Sequence, residues 1–302
     1  MSAGIPFFFK TIMRSRCNQR TFMSDFENYH ETSQHYDLTR VPVGLEIIAK
    51  ALGRSPTPLA NQTLLDGGCG TGAYAAAFVS RVKGIVAIDL NPKMLAAAKS
   101  RFNGAKSPTP ARFCRAAIDT LPLAGAAVDA IMLNQVLHHL GDSAQTSWAR
   151  YRKVFAECAR ILKPGGILIV NSCSHQQLER GFWSYSFIPE ALEKVKRFLP
   201  AEAVFEEVLC DNGFTNIDRE VPYSDVLQGE RYFDIRGILD PSWRDGDSIW
   251  SLVPEMSLRA VLTEVNQLLQ LGHMDEFMRH ADQQRPLVGQ TTFTIAQKVN
   301  KP

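Results

Sequence analysis

The sequence has no long run of basic residues, although it contains 33 Lys and Arg residues against 31 Asp and Glu residues. Its net charge is +2 over 302 residues. Nucleic-acid-binding proteins usually carry a basic stripe that neutralises phosphates. The even charge balance therefore predicts no nucleic-acid partner.

Cysteine is sparse, with six residues and no C-x-x-C pair. This spacing excludes the usual zinc motifs, and we predict no metal site. A chain of this length has no need of a disulfide framework, so we expect a reducing compartment.

No apolar run reaches the roughly 18 residues that a membrane span requires. We therefore predict no membrane span and a cytoplasmic location. Residues 1–24 contain four basic residues and no acidic residue, as in a mitochondrial presequence, which makes a mitochondrial location the alternative.

The remaining sequence alternates between short apolar runs and helical patterns. The runs 84–89, 128–134 and 167–171 are continuous and apolar, which is typical of strands buried on both faces. Helical patterns over 72–82, 91–102 and 143–162 separate these runs. Such alternation predicts an α/β fold whose parallel sheet is covered on both faces.

The regular alternation of strand and helix patterns ends after residue 171. A helical stretch over 189–214 precedes two strand-like segments, 215–221 and 291–299. We predict a flexible N-terminus over 1–24 and a single domain over 25–302. Within that domain, residues 25–60 form N-terminal helices, and 225–290 form a helical cap inserted between the last two strands.

One loop is unusually rich in glycine: 64-LLDGGCGTGAY-74. It follows the first predicted strand, and ligands of α/β sheets bind at the carboxyl ends of strands. Asp89 ends the next strand, where a carboxylate can accept hydrogen bonds from ribose hydroxyls. The loop lacks the G-K-[ST] of a phosphate loop, and a carboxylate at Asp66 would repel phosphate but attract an ammonium group. The ligand is therefore predicted to be nucleoside-like.

Five motifs in register resemble those of class I S-adenosylmethionine-dependent methyltransferases. They lie within 30–171 and read 64-LLDGGCGTG-72, 86-VAIDLNPKML-95, 121-LPL-123, 129-DAIMLNQVLHHL-140 and 159-ARILKPGGILIV-170. The chain is most similar to the small-molecule group that includes ubiquinone/menaquinone C-methyltransferases and arsenite methyltransferases. Arsenite chemistry is not expected, because 71-TGAYAAAF-78 lacks the cysteines of those enzymes.

The resemblance implies a Rossmann-like, doubly wound, mostly parallel seven-stranded sheet whose last strand is antiparallel, with a helical cap. It also implies S-adenosylmethionine as cofactor, held by a set of residues from the loop and the strand ends. These are Tyr36, Asp66, Gly68, Cys69, Gly70, Gly72, Asp89, Leu90, Met94, Ala117, Ile118 and Asn134.

Within that set, Asp66 would orient the amino group of the cofactor and Asp89 would hold its ribose, while Cys69 fills space. Relatives often place an acid next to adenine, where this sequence has Ala117. Either that carboxylate is absent or Asp119 replaces it from a shifted loop.

The methyl acceptor is expected to lie beyond the fourth and fifth strands. The stretch 181-GFWSYSFIP-189 offers Trp183, Tyr185 and Phe187 to an apolar or aromatic small molecule. A general base is needed only for a protonated nucleophile, and His139 and His175 are candidates beside His138. The alternatives are a nucleic-acid or protein methyltransferase and a catalytically silent relative; we expect a monomer or a homodimer.

Overall fold

The computed structural model describes residues 39–104 and 109–299 of the chain. The predicted N-terminal segment 1–24 and Tyr36 lie outside the described residues. The division into domains, including the boundaries of the cap, stays a prediction.

Seven strands form one sheet in the order β3-β2-β1-β4-β5-β7-β6. They are β1 (Thr63–Gly67), β2 (Gly84–Asp89), β3 (Ala111–Arg115), β4 (Val128–Asn134), β5 (Leu162–Ser172), β6 (Phe214–Glu220) and β7 (Thr292–Lys298). Only β7 runs antiparallel to its neighbours β5 and β6. The fold predicted from the sequence is therefore confirmed, including the antiparallel last strand.

Eleven α-helices lie in the described part of the chain. They are α1 (Leu45–Leu52), α2 (Ala73–Ala76), α3 (Pro92–Gly104), α4 (Ala149–Ile161), α5 (His175–Arg180), α6 (Pro189–Lys196), α7 (Glu202–Asp211), α8 (Pro241–Asp245), α9 (Glu255–Gln270), α10 (Met274–Ala281) and α11 (Arg285–Val288). Short 3-10 turns include Leu137–Leu140, Trp183–Phe187 and Ser248–Leu252.

Some helix boundaries differ from the predictions. The helix expected over 72–82 ends at Ala76, and the following turn contains Ser80 with φ +68°. Within the segment 25–60, for which helices were predicted, α1 begins at Leu45, directly after Gly44, which has φ +60° and donates its N–H to Asp225. The stretch 189–214 forms two helices, since Pro200 interrupts the hydrogen-bond pattern.

The sheet is covered on both faces, and alternate strand residues point to opposite sides. Leu64, Met132 and Ile169 belong to one core cluster, which also contains α1 and the buried tryptophans of the 225–290 segment. Leu65, Leu133 and Val170 belong to a second core cluster with α4 and α7. The residues between β6 and β7 thus share the core of the sheet.

The strand order changes direction beside β1. The chain builds β1, β2 and β3 to one side and then places β4 on the other side of β1. In open α/β sheets such a switch point opens a crevice at the carboxyl ends of the strands. The glycine loop, which follows β1, lies at this crevice.

Candidate functional site

The glycine loop is held by its own backbone. The N–H groups of Gly68 and Cys69 both donate to the carbonyl of Ile88, at 2.7 and 2.9 Å. Gly70 N–H donates to Asp89 Oδ2 at 2.8 Å, and Gly72 N–H donates to the carbonyl of Cys69 at 2.8 Å. A ligand would therefore meet the bare Cα faces of the loop, since its glycine N–H groups are already bonded.

The three loop glycines adopt backbone angles that other residues rarely take. Gly68, Gly70 and Gly72 have φ of +72°, +52° and +77°. Glycine reaches this region without a steric penalty. At Gly68 there is also no space for a side chain, because a Cβ would lie 2.4 Å from Val136 Cγ2.

Asp66, the fourth residue of β1, is a buried carboxylate with one unpartnered oxygen. It is 1% exposed, and its Oδ2 has no hydrogen bond. Burial, and next the negative charge of Asp89, raise the pKa of Asp66 from 3.8 to about 7. The side chain of Asn134, at the end of β4, lies close enough to Asp66 to lower that pKa in part, yet neither its oxygen nor its nitrogen makes a hydrogen bond. Buried polar groups are normally bonded, so these atoms mark a place for a polar ligand.

Asp89 points from the end of β2 toward the glycine loop. Its Oδ2 accepts from Gly70, and its Oδ1 accepts from the Asn91 N–H at 2.8 Å. A carboxylate has about four lone-pair positions, so it can bond ligand hydroxyls in addition. Asn91 in turn caps α3, accepting from the Lys93 N–H at 2.9 Å.

Four further predicted cofactor residues come from the segments that follow β2 and β3. Met94 and Ile118 are buried, while Leu90 and Ala117 are half-buried. Asp119 is engaged elsewhere: its Oδ2 lies 3.5 Å from Lys153 and 3.8 Å from Arg150 on α4. These contacts direct the Asp119 carboxylate to the α4 side.

Two adjoining cavities occupy the crevice. The first, which we call the glycine-loop cavity, measures about 490 Å³ and is lined by Arg40, Val41, Pro42, Asp66, Gly68, Cys69, Gly70, Thr71, Ala73, Tyr74, Asn134, Gln135 and Leu227. Five of the predicted cofactor residues are in this lining. Six others lie outside it: Gly72, Asp89, Leu90, Met94, Ala117 and Ile118.

The second, which we call the cap cavity, measures about 590 Å³. Its lining is Arg40, Gln135, His138, His139, Cys173, Leu178, Phe182, Tyr185, Val195, Leu199, Leu227, Gly246, Asp247, Ser248 and Ile249. Arg40, Gln135 and Leu227 line both cavities. Both volumes include space that is open to solvent.

Of the three aromatic residues predicted to contact the substrate, only one lines the cap cavity. Tyr185 lines the cap cavity, and its ring stacks on Phe182 at 4.3 Å. Trp183 is fully buried and donates its indole N–H to the carbonyl of Tyr232 at 2.8 Å. Phe187 packs on Phe277. Trp183 and Phe187 thus lie in the packing behind the cavity, outside its lining.

Of the three candidate histidines, two line the cap cavity and the third does not. His138 and His139 line the cap cavity with ring centroids 3.9 Å apart, and His138 Nε2 lies 3.3 Å from Ser248 Oγ. Burial, then the neighbouring His139 and Arg40, lower the pKa of His138 well below 6.5, so its imidazole is neutral. His175 Nε2 lies 2.8 Å from the carbonyl of Leu199, where it must carry the proton and donate.

Both cysteines at the cavities are thiols. Burial, then the charges of Asp66 and Asp89, raise the pKa of Cys69. Burial raises the pKa of Cys173 to about 12. A protonated, buried thiol is a poor nucleophile, which fits Cys69 as a residue that fills space.

A family model described as a methyltransferase domain matches residues 65–170. This segment contains the glycine loop, Asp89 and the end of β4. The chain therefore contains a methyltransferase domain. The resemblance stated from the sequence is confirmed to the extent of a methyltransferase domain.

Similar proteins carry the same description. An uncharacterised methyltransferase of Mycobacterium tuberculosis is 32% identical over 142 residues, which cover 47% of this chain and 66% of that protein. A ubiquinone biosynthesis O-methyltransferase of Xylella fastidiosa is 31% identical over 160 residues, covering 53% of this chain and 57% of that protein. The chain thus spans under two thirds of the length of these relatives.

Solved structures share the fold. A putative methyltransferase from an antibiotic biosynthesis pathway of Anabaena variabilis superposes with a TM-score of 0.66 at 19% identity, covering 87% of this chain and 100% of that one. The Haemonchus contortus phospholethanolamine N-methyltransferase 2, solved with phosphomonomethylethanolamine and S-adenosylhomocysteine, gives 0.56 at 19% identity, covering 93% and 61%. At these identities the likeness shows the fold alone.

No helix over 39–104 or 109–299 is long and apolar enough to cross a membrane. Across the same residues, no cluster of three or more His, Cys, Asp or Glu could hold a metal ion.

Sequence reasoning missed most of the cap-cavity lining, including three residues that carry a charge or an amide: Arg40, Gln135 and Asp247. Arg40 forms a 3.1 Å ion pair with Asp247, which is 3% exposed and also accepts from Tyr185 Oη at 2.7 Å. Arg40 precedes the sheet and Asp247 belongs to the segment between β6 and β7, so no local motif connects them. Gln135 differs from these two residues, because it directly follows Asn134, which the motif resemblance assigned to the cofactor.

Tyr185→Phe should destabilise the protein by about 1.5–3 kcal/mol, because Asp247 loses a buried hydrogen bond from a neutral phenol. Burial raises the pKa of Tyr185, so the phenol is protonated and donates. Tyr223→Phe is the matched control, since Tyr223 is 53% exposed, and it should change stability by less than about 0.5 kcal/mol. Urea unfolding measures both, and equal small effects would contradict the bond.

Proposed function

We propose that the protein is an S-adenosylmethionine-dependent methyltransferase that acts on a small, apolar or aromatic molecule. The observation that carries the proposal is the unpartnered polar set at the crevice: Asp66 Oδ2 and the Asn134 amide. An amino-acid tail suits this set in the lining of the glycine-loop cavity, because its ammonium group can donate to Asp66 Oδ2 and Asn134 Oδ1 and its carboxylate can accept from Asn134 Nδ2. The match to a methyltransferase domain and the similarity to methyltransferases support methyl transfer as the reaction.

The residues fit the cofactor in three respects. The glycine loop exposes backbone without side chains, Asp66 can receive an ammonium group, and Asp89 can receive the ribose hydroxyls while it holds the loop. When bound, S-adenosylmethionine supplies a methyl group on a positively charged sulfur. The remaining work of the chain is to hold the two reactants in line and to exclude water.

The cap cavity is the place we assign to the methyl acceptor. It adjoins the glycine-loop cavity along Arg40, Gln135 and Leu227, and much of its wall is apolar. If the acceptor loses a proton, the candidate bases are the histidines that line this cavity, although burial lowers the pKa of His138 and so weakens it as a base. His139 shares the cavity, whereas the Nε2 of His175 is used on Leu199.

Asp89→Ala should lower the affinity for S-adenosylhomocysteine at least about tenfold, because the ribose contacts are lost and Gly70 is released. Isothermal calorimetry measures the change. Asp119→Ala is the matched control and should stay within about threefold, since its carboxylate is paired with Lys153 and Arg150. A large loss in Asp119→Ala would instead show that Asp119 replaces the missing adenine carboxylate.

The acceptor is sought with methyl-labelled S-adenosylmethionine and four pools: small molecules, RNA, DNA and protein. Label in the small-molecule pool supports the proposal. Label in nucleic acid or protein would overturn the substrate class. Cofactor binding without transfer to any pool would favour the silent relative, and no cofactor binding by wild type would overturn the proposal altogether.

A further inference from the structure

Gln135 lies where the two cavities meet. It lines both of them and follows Asn134, the last residue of β4. Its φ of +49° is uncommon for a residue with a side chain. Such backbone strain persists where the surrounding structure enforces it, and it concentrates at functional sites.

A buried network fixes the orientation of the Gln135 amide. Nε2 donates to Asn171 Oδ1 at 3.0 Å and to Thr291 Oγ1 at 2.8 Å, and both partners are 1% exposed. Asn171 Nδ2 donates onward to Tyr74 Oη at 3.1 Å, in the wall of the glycine-loop cavity. Both amide protons of Gln135 are therefore used, and its carbonyl oxygen Oε1 must point the other way.

The Oε1 atom retains capacity to accept. It receives the thiol of Cys173, whose sulfur is 3.7 Å away, and a thiol is a weak donor. An amide oxygen has two lone pairs, so a stronger donor can bind beside the thiol. Gln135 thus presents a preoriented acceptor at the boundary between the cofactor side and the acceptor side.

The rest of the cap cavity indicates what kind of molecule brings that donor. Its wall includes the apolar side chains of Leu178, Phe182, Val195 and Ile249. Its carboxylate, Asp247, is neutralised by Arg40 at 3.1 Å. A cavity with apolar walls and a paired charge suits an uncharged molecule, because an ion would be desolvated there without a counter-charge.

We propose that the methyl acceptor is an uncharged, largely apolar molecule with an O–H or N–H group, and that Gln135 Oε1 accepts a hydrogen bond from that group and orients it. This inference rests on the proposed function and narrows it, since it disfavours a carbon acceptor. Gln135 is here a specificity-determining residue. Sites built to bond a hydroxyl reject analogues that lack it.

The test compares two probes of nearly equal shape, 2-naphthol and 2-methylnaphthalene, on the full chain saturated with S-adenosylhomocysteine. Fluorescence titration gives each dissociation constant, and the ratio of the two measures hydroxyl recognition. Gln135→Met should lower the preference for 2-naphthol about fivefold, the value of one hydrogen bond. Gln135→Glu, which keeps an acceptor oxygen, should retain more of the preference than Gln135→Met does.

Leu227→Ala is the matched control, because Leu227 also lines both cavities but is apolar. It should weaken both probes alike and leave the ratio unchanged. Should Gln135→Met fail to fold, Thr291→Val, which frees one amide proton, should lower the ratio less strongly.

The outcomes separate this inference from the function on which it rests. If wild type binds S-adenosylhomocysteine and the ratio is the same in wild type, Gln135→Met and Thr291→Val, the role of Gln135 is overturned and the proposed function stands. If wild type binds no S-adenosylhomocysteine, the proposed function itself fails.

Discussion

Asp66→Asn should stabilise the ligand-free protein at pH 8 and at the same time weaken its binding of S-adenosylhomocysteine. Burial and the charge of Asp89 raise the pKa of Asp66 from 3.8 to about 7. Between pH 3.8 and about pH 7, the folded state therefore keeps a proton on Asp66 that the unfolded state has already lost. The free energy of unfolding is therefore unaffected by Asp66 below pH 3.8, and it falls as the pH rises from 3.8 toward 7.

The size of this effect follows from linkage. Between pH 5 and pH 8, ionisation of Asp66 should lower the free energy of unfolding by about 2–3 kcal/mol, at about 1.4 kcal/mol per pKa unit. The uncharged amide of the Asp66→Asn variant carries no such cost, so the stability difference between the variant and wild type should grow over this pH interval. Urea unfolding at several pH values measures the difference.

Binding should respond in the opposite direction. A cofactor ammonium group favours the charged form of Asp66, so binding near pH 6.5 should release a proton from wild type. Calorimetry in two buffers of different ionisation enthalpy measures that release. In Asp66→Asn the release should vanish, and affinity for S-adenosylhomocysteine should fall at least about tenfold.

Asp129→Asn is the matched control for this prediction. Asp129 is as buried as Asp66, at 1% exposed, but it accepts from Lys163, Thr57 and the Thr63 N–H at 2.7–2.8 Å. Removing that paired charge should destabilise the protein at pH 8 by about 1–3 kcal/mol. The same sign in both variants would contradict the cost that we assign to the Asp66 charge.

Gly68→Ala should destabilise the protein by about 2–4 kcal/mol and reduce cofactor binding. Two penalties add: a side chain at φ +72° is strained, and its Cβ would lie 2.4 Å from Val136 Cγ2. Val136 follows Gln135, so its displacement would also disturb the end of β4. Thermal and urea unfolding measure stability, and calorimetry with S-adenosylhomocysteine measures binding.

Gly272→Ala isolates the first penalty. Gly272 has φ +71°, yet nothing lies within 4 Å of the position its Cβ would take. This control should cost about 1 kcal/mol and leave binding unchanged. The double variant Gly68→Ala/Val136→Ala should be less destabilised than the sum of its parts, because the contact is removed. Equal costs at Gly68 and Gly272 would rule out the close packing against Val136.

The core of the fold could be predicted because buried parallel strands leave a local signal. β2, β4 and β5 are apolar along most of their length, since both faces of the sheet are covered. Helix boundaries were less predictable. The alanine-rich pattern after Gly72 favours a long helix, but α2 is four residues long and Ser80 takes a positive φ. Tertiary context overrode intrinsic propensity there.

The sequence by itself determined the doubly wound sheet, the position of the glycine loop and the pair Asp66 and Asp89. These features depend on patterns within a few residues or on the regular spacing of βαβ units. Tertiary structure decided the rest of the site. It brought Arg40 to Asp247, fixed the Gln135 amide between Asn171 and Thr291, and left Asp66 Oδ2 without a partner. Contacts between residues distant along the chain, and the pKa shifts that burial causes, arise only when the chain is packed.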